Sequence, residues 1–119
     1  MFVFHRIDDV YAQRHDLMRI LALFERLDIP AILGVIPARL TAEMDAYLAV
    51  RPLFTVFQHG VAHKNYASKW PPPNRSPVGI VYHIKDLSEA DVVEIESVIR
   101  WSARHAPMPR PWSQFVGAA

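Results

Sequence analysis

Apolar and polar positions change period several times along this chain. Phe2, Val3, Phe4 and Ile7 form a short β-prone run that ends at Asp8-Asp9. Leu17, Ile20, Leu21, Phe24 and Leu27 then recur at spacings of three and four, which predicts an amphipathic helix from about Arg14 to Leu27, closed by Asp28 and Pro30. Ala31-Ile32-Leu33-Gly34-Val35-Ile36 is a near-continuous apolar run of the kind buried on both faces in a parallel sheet, and Pro37 ends it. Thr41 is suited to cap a short helix through about Val50. A third strand, Leu53 to Phe57, runs into Gln58-His59-Gly60, and a loop or helical turn follows over Val61 to Tyr66.

The stretch 67–77 holds Trp70, Pro71, Pro72, Pro73 and Pro77, which forbids a helix or a central strand and predicts a stiff, extended loop. Val78 to Tyr82 reads as a fourth strand ending at His83. Ser88 and Asp91 start a helix bearing Val92, Ile95, Val98 and Ile99, and a proline-rich, irregular tail follows Arg104. Strands alternating with helices at this spacing imply right-handed βαβ units and a parallel α/β sheet. In such folds chemistry gathers at the carboxyl ends of the strands, where Asp8-Asp9, His59 and His83 all fall.

Composition narrows the chemistry. With 119 residues, 51% of them hydrophobic, the chain fits one domain over 1–119 rather than two cores. Lys plus Arg number 13 against 12 for Asp plus Glu, a balance that makes no electrostatic case for nucleic acid or an acidic membrane surface. Cysteine is absent, so any metal must sit on His and carboxylate. The apolar stretches are too short to span a bilayer and the N-terminus lacks a charged segment before a long hydrophobic one, which reads as a cytoplasmic chain.

His59 and His63 stand four apart, so one helical turn would place both imidazoles on one side. With one carboxylate they would form a nitrogen and oxygen set suited to zinc, and equally to iron, manganese or cobalt. Taken alone, a pair at this spacing also arises by chance in a chain with six histidines, and paired aspartates after a strand commonly cap a turn. Neighbouring residues of a regular strand also point to opposite faces, so Asp8 and Asp9 reach one site only if the strand has already ended there.

Together these segments resemble the NodB-like polysaccharide deacetylases. Arg6-Ile7-Asp8-Asp9 resembles that family's first motif, His59-Gly60-Val61-Ala62-His63 its second, and Ile80-Val81-Tyr82-His83 its late strand that delivers a histidine. Pro72-Pro73-Asn74-Arg75 resembles, more loosely, the segment lining the family's groove. The resemblance spans Phe2 to about His83. It implies that Asp9, His59 and His63 hold one divalent metal ion, zinc first, with cobalt, manganese, iron or nickel also compatible. Asp8 would be the general base, His83 the general acid, Arg75 the group that holds Asp8 ionised and oriented, and Trp70 a platform for a sugar ring.

The implied activity is hydrolysis of an N-acetylated carbohydrate or small amide by metal-activated water, at C–N bonds other than peptide bonds. A complete barrel takes about 200 residues or more, and the chain departs from the family pattern by a shortened segment between 67 and 78. The expectation is therefore a partial or open (β/α)-barrel-like sheet of about four strands and three helices, with apolar edges that a second copy of the chain would cover. Two further readings stand beside the hydrolase: a non-catalytic, truncated metal-binding or interaction domain of the same fold, and an iron oxygenase using a two-histidine, one-carboxylate face.

Overall fold

The N-terminal run forms the heart of the sheet, flanked on both sides by strands from later in the chain. In the computed structural model, which describes residues 2–58 and 77–107, the strands are β1 (Phe2–Val10), β2 (Ala31–Val35), β3 (Phe54–Gln58) and β4 (Pro77–Tyr82). The helices are α1 (His15–Leu27), α2 (Ala42–Ala49) and α3 (Glu89–His105), with a 3-10 turn at Pro37–Arg39 ahead of α2. All strand pairs are parallel, in the order β3-β2-β1-β4. Parallel pairing of a central strand buries both its faces, which is why β2 reads as an unbroken apolar run and β1 is buried along most of its length although it carries His5, Arg6, Asp8 and Asp9.

Register separates the two faces. His5 pairs with Ile80, Ile7 with Leu33 and Tyr82, and Ala31 with Phe54, and this side carries the main core. Ile7, Leu33, Phe54 and Tyr82 join Leu17, Ile20, Leu21 and Phe24 of α1, Met44 of α2 and Ile99 of α3 in one buried cluster. All three helices therefore pack against the same face. Each fully buried Leu, Ile or Phe there contributes roughly 1.5–3 kcal/mol relative to leaving it in water. Ion pairs fasten α1 to α3 at the rim, Arg19 to Glu89 and Arg26 to Glu96, each at 2.7 Å. The Asp16 carboxylate adds a bond from the Leu87 amide.

The helix boundaries follow local chemistry. The Thr41 hydroxyl accepts from the Met44 amide to start α2, and Ser88 and Asp91 form a reciprocal capping box at α3. Asp28 ends α1 at φ 55°, the left-handed conformation that releases the chain into β2.

The opposite face bears Phe2, Phe4, Arg6, Ile32, Thr55, Phe57, Gly79 and Val81 by the same register. Gly79 is needed where it stands, because a Cβ there would collide with the tip of the buried Phe4 ring. Gly79→Ala is expected to cost about 1–3 kcal/mol through this overpacking, read as a lowered urea midpoint, and Phe4→Leu in the same chain should recover part of it. Valines are exposed on both edge strands, Val56 of β3 and Val78 and Val81 of β4, in keeping with the expected apolar edges. Among the described residues no helix is long and apolar enough to cross a membrane.

One boundary differs from expectation. β1 does not end at Asp8-Asp9 but continues to Val10. The pairing with β2 slips between Ile7 and Val10, and Asp9 within that irregularity has φ 60°. An aspartate tolerates this left-handed conformation better than most residues do.

Candidate functional site

The irregularity in β1 resolves the difficulty of two adjacent aspartates. An extra residue in a strand re-aims side chains and is often found beside functional sites. Asp8 stays on the Arg6 face of the sheet and is buried, while the left-handed turn at Asp9 redirects the next carboxylate, which is one-third exposed. Both therefore stand at the carboxyl end of the central strand without β1 having stopped.

Asp8 is held by its own strand. Arg6, two residues earlier and on the same face, donates from Nε to Oδ1 at 2.6 Å and from Nη2 to Oδ2 at 2.9 Å. This two-pronged, charge-assisted geometry fixes both the charge and the plane of the carboxylate. The Arg6 guanidinium in turn lies 5.1 Å from the Phe57 ring centroid on β3, so the position of Asp8 is tied across three strands. Arg6 thus holds Asp8 from within β1, and Arg75, to which the resemblance gives an orienting role, lies outside the described residues.

Asp9 faces β4. His83, one residue past the end of that strand, places Nδ1 4.0 Å from Asp9 Oδ2, beyond hydrogen-bond length but close enough for charge to be felt. His83 is 69% exposed, so its ring is not packed into the strand end. Arg14 braces the backbone below both residues by donating to the carbonyl oxygens of Asp9 and Ile84, each at 3.2 Å.

Of the residues singled out from the sequence, the fold brings together Asp8, Asp9 and His83, which come from two adjacent strand ends. His59, His63, Trp70 and Arg75 lie outside the described residues, as does the loop 67–76. Among the described residues no three His, Cys, Asp or Glu side chains gather as a metal set.

A second polar cluster lies on the helix face. His5, 1% exposed, has Nδ1 2.9 Å from the Tyr82 hydroxyl and Nε2 2.8 Å from Ser102 Oγ of α3. Ser102 donates to the Ile99 carbonyl at 2.8 Å, so its oxygen accepts from His5 Nε2–H, and Nδ1 accepts from Tyr82. The chain of bonds runs in one direction and satisfies a neutral imidazole completely. Burial pushes the His5 pKa down to about 4 and raises that of Tyr82. Spacing offered one clue to this cluster: His5 shares the period-two phase of Val3 and Ile7 and so had to point inward.

No family model, no curated protein and no solved structure matches this chain.

Proposed function

We propose that the chain is a metal-dependent hydrolase resembling the NodB-like polysaccharide deacetylases, which removes acyl groups from an N-acetylated carbohydrate. The observation that carries this reading is the end of β1, where one irregularity presents a buried, arginine-held carboxylate beside a partly exposed one, with His83 4.0 Å from the second. In the fuller form of the proposal the sheet is part of a (β/α)-barrel wall. Its strands are all parallel and its three helices share one face, whereas a doubly wound sheet sets helices on both. The Arg6 and Asp8 face would then line the inside.

The donors fit a divalent cation. Asp9 offers a partly exposed carboxylate oxygen and His59 and His63 two imidazoles, a set that zinc, cobalt, manganese, iron and nickel all accept. When bound, such an ion polarises the acyl carbonyl and lowers the pKa of water. Asp8 takes the proton from the attacking water on a lone pair not used by Arg6, and Arg6 keeps the carboxylate aimed. His83 gives a proton to the departing amine as the C–N bond breaks, and its exposure lets it exchange that proton with solvent. Trp70 would stack on the sugar and Arg75 would line the groove, while the edge valines support self-association.

A second reading, favoured by the short connection between β3 and β4, is a non-catalytic metal-binding relative. Metal analysis after loading with zinc tests the shared premise. The parent chain should carry about one equivalent, and Asp9→Asn and His59→Ala should each lose it. Asparagine is the better replacement at position 9, because alanine at φ 60° would add strain of about 1 kcal/mol to the loss of a ligand. Stoichiometric zinc without hydrolysis of acetylated sugar oligomers selects the relative; an unchanged zinc content in both variants sinks both readings.

A further inference from the structure

Beside the two aspartates, we propose that Arg14, Arg39 and Tyr11 form a receptor for an oxyanion, a carboxylate or a phosphate group carried by the ligand. Tyr11 follows β1 directly, and its carbonyl accepts from the Thr41 amide at 2.8 Å, joining the loop after β1 to the loop after β2. Two guanidinium groups converge on its ring. The Arg39 carbon lies 3.8 Å from the ring centroid and the Arg14 carbon 4.9 Å.

The two cations lack the counter-charge that others in this fold possess. Arg6, Arg19, Arg26, Arg51 and Arg100 each meet a carboxylate. Among the described residues neither Arg14 nor Arg39 does. Arg14 spends one N–H of each terminal nitrogen on the carbonyls of Ile84 and Asp9, and its buried Nε has no hydrogen-bond partner there. Its position is therefore fixed while no carboxylate among the described residues pairs with its charge. Arg39 is exposed on the 3-10 turn and rests on the negative face of the Tyr11 ring, which steadies the guanidinium plane and leaves its N–H edge open.

With both guanidinium carbons within about 5 Å of one ring centroid, the two like charges stand less than about 9 Å apart, and an oxyanion offsets the positive potential they raise while matching the planar fork of arginine. Of the carboxylates next to Tyr11 and Arg14 along the chain, Asp16 accepts from the Leu87 amide and Asp9 has Oδ2 4.0 Å from His83 Nδ1, at the end of β4. A ligand bound by its charged group at Tyr11 would thus reach the Asp9 and His83 end of the sheet with its remaining atoms. This receptor needs neither a metal nor any histidine, so it stands or falls apart from the hydrolase reading.

Titration of the full chain with inorganic phosphate and, separately, acetate, in the presence of EDTA, tests it. The backbone amide signals of Tyr11, Arg39 and Leu40 should shift saturably with millimolar affinity, weakened by added sodium chloride. Arg39→Gln should weaken binding at least about tenfold, Arg39→Lys should keep part of it, and Arg100→Gln, an exposed arginine already paired with Glu96, should change it by less than about twofold. Saturation with only one of the two anions supports the receptor and identifies the ligand's charged group. Absence of saturation with both anions overturns it, as does Arg39→Gln binding as tightly as the parent or Arg100→Gln weakening binding equally.

Discussion

Asp8→Asn is expected to lower the rate of hydrolysis of an acetylated sugar oligomer about a hundred- to ten-thousandfold and to leave zinc content at the parent level. The substitution keeps the shape of the side chain and removes its ability to take a proton. It also turns one of the two acceptors facing Arg6 into a donor, so one of the bonds at 2.6 and 2.9 Å is lost. Arg6 is about one-quarter exposed and can recover water on that side, which limits the loss of stability to about 1–2 kcal/mol. Arg6→Met removes the counter-charge and leaves a buried carboxylate behind, so its unfolding free energy should drop more than that of Asp8→Asn. Turnover measured beside chemical denaturation reads both effects. Equal rates for parent and Asp8→Asn would remove Asp8 from the chemistry, whereas a fall in rate matched by a fall in folded fraction would make it a structural ion pair.

Acid should weaken the fold through His5. An unfolded imidazole takes up its proton near pH 6.5, but burial holds the folded one near 4. Between those values the unfolded chain binds more protons, so stability falls as pH falls, by an amount on the order of 3 kcal/mol once both states are protonated. Protonation would also force Nδ1 to donate toward Tyr82, whose hydroxyl is already its donor. In a domain whose total stability is about 5–15 kcal/mol, this term alone brings the smallest margins close to unfolding. His5→Gln should be less stable than the parent at pH 7 and should lose less on going to pH 4.5. If the two urea midpoints fell in parallel across that window, another group would have to be responsible.

The sequence was most legible where one period held for long. The phase of Leu17, Ile20, Leu21, Phe24 and Leu27 locates α1, and the unbroken apolar run at 31–36 locates a strand buried on both faces, because both patterns record a choice of neighbours that every residue in the segment shares. Thr41, Ser88 and Asp91 were equally readable, since a cap is satisfied within three residues. The path of β1 through Asp8-Asp9 was not. A single residue with φ 60° leaves no periodic trace, and the aspartates were instead expected to mark the end of the strand. One partner of Asp8 lay two positions away in Arg6, visible once a strand was assumed to continue, whereas Arg75, to which the resemblance pointed, lies outside the described residues. His5 with Tyr82 and Ser102, and Tyr11 with Arg39, are joined across 77, 97 and 28 positions, and nothing local specifies such contacts.

The central place of β1 also sets the order in which the domain can be completed. Residues 2–10 supply the strand that β2 and β4 both need, yet β4 and α3 lie far along the chain from it. Until about residue 105 has emerged, β1, β2 and β3 can pair and α1 and α2 can settle on them, but one flank of β1 and the floor beneath His5 stay bare. Such non-local closure is slow and leaves a sticky intermediate. Chains truncated within α3 should therefore collect as aggregates during expression even when they retain Asp8, Asp9 and His83.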